Sequence, residues 1–194
     1  MTLSVDLLLS AYAQGIFPMA HEDGQIYWYA PDPRAILPLD GLHVSRSLMR
    51  LIRSGRYEIR FNTAFLEVMM ACAASGPDRE ETWINDEIIE AYNWLHELGF
   101  AHSVEAWEDG ELVGGLYGVG LRGLFAGESM FSRRPNASKV ALYYLVQRLR
   151  ERGFRLLDVQ FMTPHLQRLG AVEISKRRYL ALLNKALAVD ARFD

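Results

Sequence analysis

The stretch that decides the fold runs from 102 to 128. It reads HSVEAW (102–107), a turn at Asp109 and Gly110, ELVGGLYGV (111–119), a turn near Arg122 and Gly123, and LFAGE (124–128). Short apolar-rich runs separated by Asp-Gly and Arg-Gly turns predict an antiparallel meander of three strands. Beyond it, Asn136 caps a predicted long helix to about 152. A strand over 155–161 follows, then a short helix over 164–169 closed by Gly170, another strand, and a last helix over 175–188. Before the meander the spacing predicts mainly helices. Ser4 opens one to about Gln14, with Leu7, Leu8, Ala11 and Tyr12 on one face and Gly15 as its stop. From 15 to 38 the chain is rich in Pro, Gly and aromatics, and Pro18, Pro31 and Pro33 forbid a continuous helix. That stretch reads as extended segments and turns, with a strand over 26–29. Ser45 opens a helix to about Arg53, ended by Gly55. A strand follows over 57–61, then a helix capped by Asn62 to about Ala74, and a helix over 86–98 capped by Asn85. The sum is an α+β protein, a mostly antiparallel sheet flanked by helices.

The 194 residues suit a single domain over 1–194, with residues 1–40 as a helix and extended lead-in packed on it. Half the residues are hydrophobic, which excludes intrinsic disorder. The formal charge of −3 leaves any basic footprint local. Cys72 is the one cysteine, which excludes an intramolecular disulfide and a cysteine-rich metal site. In the apolar helix FLEVMMACAA it reads as a buried small hydrophobe. The five histidines lack metal-ligand spacing with one another, so no metal is expected. Residues 1–20 lack a basic leader region, and Asp6 and Gln14 interrupt their apolar run. Neither a signal peptide nor a membrane span is expected, and a cytoplasmic protein is.

Asp158 and Gln160 stand two apart on a predicted strand, so their side chains share a face while Leu157, Val159 and Phe161 share the other. A carboxylate beside an amide suits the handling of an amine. On pattern alone, a polar strand end facing solvent accounts for the pair at least as well. Glu128, after an apolar strand, reads as the chain emerging into water, and Glu105 as a solvent-face residue. Arg46, Arg50 and Arg53 fall at i, i+4 and i+7 and form one stripe. Lys176, Arg177 and Arg178 crowd a helix start, where cations oppose the helix dipole unless an anion joins them. Solvated faces and sites for a phosphate-bearing partner both remain open. Among the aromatics, Phe17, Tyr27, Trp28, Tyr29, Trp83, Tyr92 and Trp94 read mostly as core. Gly114, Gly115, Gly118 and Gly120 suggest close backbone approach or a bulge.

A meander followed by helix, strand, short helix and strand is also the order of acyltransferase folds of the N-acetyltransferase (GNAT-like) type. A coenzyme A user on that fold needs a glycine-rich turn whose bare amides hold pyrophosphate. The link here is GESMFSRRPNASK, bulky and proline-bearing, which argues against coenzyme A.

The chain resembles the leucyl/phenylalanyl-tRNA–protein transferase family over nearly its whole length. The resemblance rests on AYAQGIFPM, WYAPDPRAILP, LHVSRSLMR, ETWINDEIIEAYNWLHELGFAHSVEAW, ELVGGLYGV, LFAGESMFSRRPNASKVAL, LLDVQ, HLQRLGAVEI and RRYL. It implies an acyltransferase-like α+β domain. The implied enzyme is an aminoacyltransferase that moves Leu or Phe, with Met a further donor, from aminoacyl-tRNA to proteins beginning with Arg or Lys. Proteins so marked enter the N-terminal-residue degradation pathway. Asp158 and Gln160 of LLDVQ fall on the family's proposed catalytic positions, and Glu128 of GES on a motif acid near the aminoacyl group. Trp83 and Tyr92 match site aromatics. Leu116, Phe125, Leu145 and Leu157 match the side-chain pocket. Met19 stands where the family often has Trp. The chain starts almost at the AYxxGIFP motif, resembling a compact form without most of the N-terminal segment of better-known members.

The implied chemistry calls for no cofactor, since the tRNA ester is already activated. Asp158, held by Gln160, is expected to accept a proton or hydrogen bond from the attacking amine. Glu128 is expected to attract the cationic acceptor residue or the donor α-ammonium. Arg46, Arg50, Arg53, Lys176, Arg177 and Arg178 are the charge pattern's candidates for tRNA phosphates. A small-molecule or peptide N-acetyltransferase, and a non-catalytic adaptor for aminoacyl-tRNA or N-terminal residues, are the alternatives.

Overall fold

The computed structural model describes residues 3–74 and 82–194. Glu81, which opens the ETWI motif, lies outside them. In chain order the elements are α1 (Val5–Ala13), β1 (Phe17–Ala20), β2 (Ile26–Tyr29), β3 (Arg34–Ile36), α2 (Arg46–Ser54), β4 (Glu58–Phe61), α3 (Phe65–Ala73) and α4 (Asp86–Glu97). They continue with β5 (Ala101–Glu108), β6 (Glu111–Leu121), β7 (Leu124–Ser132), α5 (Ala137–Glu151), β8 (Leu156–Gln160), α6 (Pro164–Arg168), β9 (Val172–Ile174) and α7 (Lys176–Leu187). A seven-stranded sheet runs β4-β5-β6-β7-β8-β3-β9, and β1 and β2 form a separate hairpin. The α+β reading with a mostly antiparallel sheet holds: β7 with β8 is the one parallel pairing among the described strands.

Local sequence accounts for most elements. Ser4, Ser45, Asn85 and Ser175 accept from backbone amides of the helices they open. Two expected caps do not form. Asn62 adopts φ 58°, and its carboxamide bonds Ser103, His102 and Asp194. The start of α3 is served from the sheet instead. Glu105 Oε1 accepts from the amides of Thr63 at 3.0 Å and Ala64 at 3.1 Å and from Ser103 Oγ at 2.6 Å, and Oε2 accepts from the Thr63 hydroxyl. Glu105 is fully buried, not a solvent-face residue, because those donors replace its water. Asn136 takes the left-handed conformation with no side-chain cap, and Ser132 Oγ accepts from the Ser138 amide at 3.2 Å.

The lead-in is woven into the sheet: β3 lies between β8 and β9. Helices α1, α3 and α4 close one apolar cluster through Leu8, Tyr12, Val68, Met69, Ile88 and Tyr92. Helix α5 closes another through Ala141, Leu142, Leu145, Val146 and Leu149. A Cβ on Gly114 would lie 2.5 Å from that of Ala137, so the glycine admits the start of α5. The bulge between Tyr117 and Gly118 confirms the close approach expected of the glycine-rich strand.

A parallel pair needs a crossover, and α5 supplies it between β7 and β8. Their ladder covers only Leu124–Leu156, Phe125–Leu157 and Ala126–Asp158. Beyond it β7 runs on to Ser132 beside β6 and β8 to Gln160 beside β3 without further pairing to each other, and the site lies there.

Candidate active site

A cavity of about 480 Å³ occupies that gap. Leu116, Leu142, Leu145, Leu157 and Val159 make its apolar wall, Glu128 and Gln160 supply polar groups, and Met19, Trp83 and Phe161 border it. This is the size and character of a small-ligand site. Of the six residues expected to bind substrate, Trp83, Leu116, Leu145 and Leu157 line it. Tyr92 and Phe125 do not. Tyr92 stands behind the cavity, where its hydroxyl bonds that of Tyr12. Phe125 is core, stacked on Phe193 with centroids 5.6 Å apart. Strand alternation alone cannot separate lining from support.

Asp158 and Gln160 are brought together, yet they are not equally open. Asp158 is 1% exposed and does not line the cavity. Its carboxylate accepts from Arg34 Nε at 3.0 Å and Nη2 at 2.6 Å, from the Tyr179 hydroxyl at 2.8 Å and from the Gln160 amide at 2.9 Å. Arg34, 2% exposed, also donates to Gly15 O at 2.8 Å and lies over the rings of Phe17 and Tyr179. Burial opposes its charge, but the hydrogen bond to Asp158 and the negative charge of that carboxylate, with smaller help from Tyr179 and Glu128, together outweigh it and hold the guanidinium above its ordinary pKa. Gln160 ends β8 at φ 67°, a left-handed turn that sets its side chain on the cavity with Leu157 and Val159. The shared solvent face expected of Asp158 and Gln160 is therefore not formed.

Glu128 does not emerge into water either. Oε1 accepts from the Tyr12 hydroxyl at 2.5 Å and from Gln160 Nε2 at 3.2 Å, and Oε2 is buried. Tyr12 commits its proton to Glu128, so Tyr92 donates to the Tyr12 oxygen. Burial pushes the Glu128 carboxyl up to about 7, against the Tyr12 and Gln160 bonds that favour the charged form. Sequence reasoning missed Arg34, Tyr12 and Tyr179. An arginine inside the apolar run PRAILP was the available signal for Arg34, since such a residue needs a buried partner.

The basic residues are all exposed and have no ion-pair partner among the described residues: Arg46, Arg50 and Arg53 on α2, and Lys176, Arg177 and Arg178 on the first turn of α7. Of the seven aromatics expected mostly in the core, Phe17 and Tyr92 are buried in it and Tyr29 and Trp83 pack against it half-buried, whereas Tyr27, Trp28 and Trp94 are exposed. Tyr27 and Trp28 lie on a two-stranded hairpin, which has no second layer to cover both faces. Cys72 is buried. No helix among the described residues is long and apolar enough to cross a membrane.

At the start of α5, Ser138 N donates to Ser132 Oγ and Ala137 N to Arg134 O. Amides that would hold a pyrophosphate are thus already engaged. A gap where the parallel strands β7 and β8 part in a mostly antiparallel α+β sheet, holding an apolar pocket and an acid–amide pair, defines the class of α+β proteins with a small-ligand site between splayed strands. Within it, the chain belongs to the leucyl/phenylalanyl-tRNA protein transferase family: residues 36–184 match that family's model, and residues 1–32 match the model of its N-terminal domain. It is 64% identical to the leucyl/phenylalanyl-tRNA–protein transferase of Herpetosiphon aurantiacus, covering 98% of each chain. It is 57% identical to that of Paramagnetospirillum magneticum, over 99% of this chain and 93% of the relative. With that of Rubrobacter xylanophilus identity is 55% over the full length of both. Among solved structures, it is similar to L-PGS from Bacillus licheniformis (TM-score 0.44, 16% identity, 80% of this chain and about half, 53%, of that one). It is also similar to a GCN5-related N-acetyltransferase from Kribbella flavida (TM-score 0.45, 12% identity, 84% of this chain and 58% of that one).

Proposed function

We propose that this protein transfers Leu or Phe, and also Met, from aminoacyl-tRNA to the α-amine of proteins beginning with Arg or Lys, marking them for degradation through the N-terminal-residue pathway. The observation that carries the reading is the cavity itself: an apolar wall with room for such a side chain, and Glu128 and Gln160 among the polar groups that line it. An apolar wall admits Leu, Phe and Met together, since a methylene more or less separates near-isosteres by only ~1–3 kcal/mol.

In this reading the donor side chain lies on Leu116, Leu145 and Leu157, and its ester carbonyl faces Gln160. The bond formed is an amide and the bond broken is the ester to the tRNA ribose. That exchange is downhill and draws on no ATP, metal or bound cofactor. The acceptor is an amine with pKa about 7.7–8.0, which must shed a proton to attack. Gln160 donates through Nε2 to Glu128, which leaves its carbonyl oxygen to accept from that amine. Asp158, closed off by Arg34 and Tyr179, fixes Gln160 through its backbone amide and acts on the amine through it. Much of the rate then comes from holding amine and ester in register. Arg46, Arg50, Arg53 and Lys176–Arg178 are the groups that take tRNA phosphates.

The test is a transfer assay with radiolabelled Leu-tRNA and peptides beginning with Arg, Asp or Ala. Label in the Arg peptide alone is expected. Label in the Asp peptide would overturn the acceptor class. No label despite bound tRNA would favour the adaptor, and absence of tRNA binding the N-acetyltransferase.

A further inference from the structure

The cavity continues outward into a strip of aromatic rings. Met19 and Phe161 border the cavity. On the β1–β2 hairpin Phe17 pairs with Tyr29 and Met19 with Tyr27, so strand alternation sets all four side chains on one face. Phe161 meets that face edge-on, its ring centroid 6.2 Å from that of Tyr29. His21 lies parallel to Tyr29 at 6.0 Å, bonded through Nε2 to the Tyr29 hydroxyl, and meets Tyr27 at 4.5 Å. The Tyr27 hydroxyl donates to Asp23 at 2.9 Å, and Glu22 stands beside Asp23 in the turn. Phe161, Tyr29, His21 and Tyr27 thus lead from the cavity to two carboxylates. Phe161 and Tyr27 are exposed, and an exposed apolar surface that runs into a ligand cavity marks an interaction site.

Aromatic rings suit either a nucleic-acid base or a cationic side chain. Charge decides between them. Lys and Arg are absent from residues 1–33, which carry Asp6, Glu22, Asp23 and Asp32. Glu22 and Asp23 are exposed and have no ion-pair partner among the described residues. Such a surface repels phosphates, and it draws a guanidinium or ammonium both to the ring faces and to the acids. Phe161 follows Gln160 in the chain, so the strip begins beside the group that receives the acceptor amine.

We propose that the strip docks the N-terminal segment of the acceptor polypeptide, its α-amine at Gln160 and the residues behind it running over Phe161, Tyr29, His21 and Tyr27 towards Glu22 and Asp23. The ring-to-ring steps are spanned by about five extended residues. The segment that fits is basic. This rests on the transfer reading above and carries it past the acceptor's first residue: among proteins beginning with Arg or Lys, those with further positive charge in the next few positions are favoured.

The experiment measures KM for acceptor peptides on the full chain at saturating Leu-tRNA. Two peptides of equal length begin with Arg and carry Lys or Glu at the second to fifth positions. The wild type is expected to show a KM about tenfold lower for the Lys peptide. Glu22→Lys is expected to narrow that gap to about twofold, and Tyr27→Ala to raise the Lys-peptide KM about threefold. Tyr27→Phe keeps the ring and is expected to stay near the wild type, and KM for Leu-tRNA is expected to hold in every variant. Equal wild-type KM values for the two peptides overturn the docking surface and leave the transfer reading standing. A gap that neither Glu22→Lys nor Tyr27→Ala moves places the preference elsewhere and overturns the strip. A Leu-tRNA KM that falls in Glu22→Lys while the peptide values hold gives the strip to the tRNA 3′ end and overturns the proposal. Absence of wild-type transfer to either peptide overturns the reading beneath and the strip with it.

Discussion

Arg34 and Asp158 form a two-point ion pair, Nε to Oδ1 at 3.0 Å and Nη2 to Oδ2 at 2.6 Å, across 124 residues of sequence. The pair joins β3 to β8 inside the sheet, and the same Asp158 oxygen that takes Arg34 Nε takes the Gln160 amide. Loss of either partner strands a buried charge, which costs about 3–5 kcal/mol. Arg34→Ala and Asp158→Ala are both expected to unfold at lower denaturant, by midpoints in urea. Asp158→Ala should abolish transfer while leaving tRNA binding nearly intact, since none of the six exposed basic residues of α2 and α7 is among the groups that bond it. Near-normal transfer by that variant would remove Asp158 from the mechanism.

Glu128 makes stability depend on pH. Its folded pKa of about 7 stands above its ordinary value of 4.5. The contribution is therefore fully present below pH 4.5 and is lost as pH rises to about 7. Glu128→Gln removes this titration, so urea midpoints of wild type and variant should diverge between those limits, the wild type losing ground as pH rises. Parallel curves across the window would mean that the carboxylate is not desolvated.

Leu145 is buried in α5 and lines the cavity. Leu145→Phe narrows the apolar wall at a stability cost of about 1–3 kcal/mol from overpacking. Transfer from Phe-tRNA should fall more than transfer from Leu-tRNA, read as the product ratio when the two compete. An unchanged ratio would move the side chain elsewhere.

Arg46, Arg50 and Arg53 are exposed on α2 and have no ion-pair partner among the described residues. The double substitution Arg46→Glu, Arg50→Glu should weaken tRNA binding. It should also flatten the slope of log affinity against log salt by about 0.9 for each duplex phosphate that the variant no longer neutralises. A steep, unaltered slope would place the acceptor stem on another surface, with the start of α7 the next to test.

The sequence by itself determined the class of the fold, because the forces that announce helices, strands and turns act within a few residues. The serines and the asparagine that cap α1, α2, α4 and α7, the glycines that end helices, and the Asp-Gly turn of the meander needed nothing from the rest of the chain. The family motifs were equally legible, since they are local strings. Tertiary structure alone decided which polar residues are buried and with whom. Asn62 and Asn136 had the sequence of caps, yet Glu105 and Ser132 made the bonds at those helix starts. Glu105 and Glu128 looked like solvated strand residues, yet both carboxylates are enclosed by donors from elsewhere. Tyr92 and Tyr117 share the core periodicity of their neighbours, and only the gap beside β8 sets one behind the cavity and the other within its wall. Propensity and alternation depend on near neighbours along the chain. Desolvation and partner choice depend on which distant strands and helices converge, and that is where the chemistry of Glu128, Gln160 and Asp158 is set.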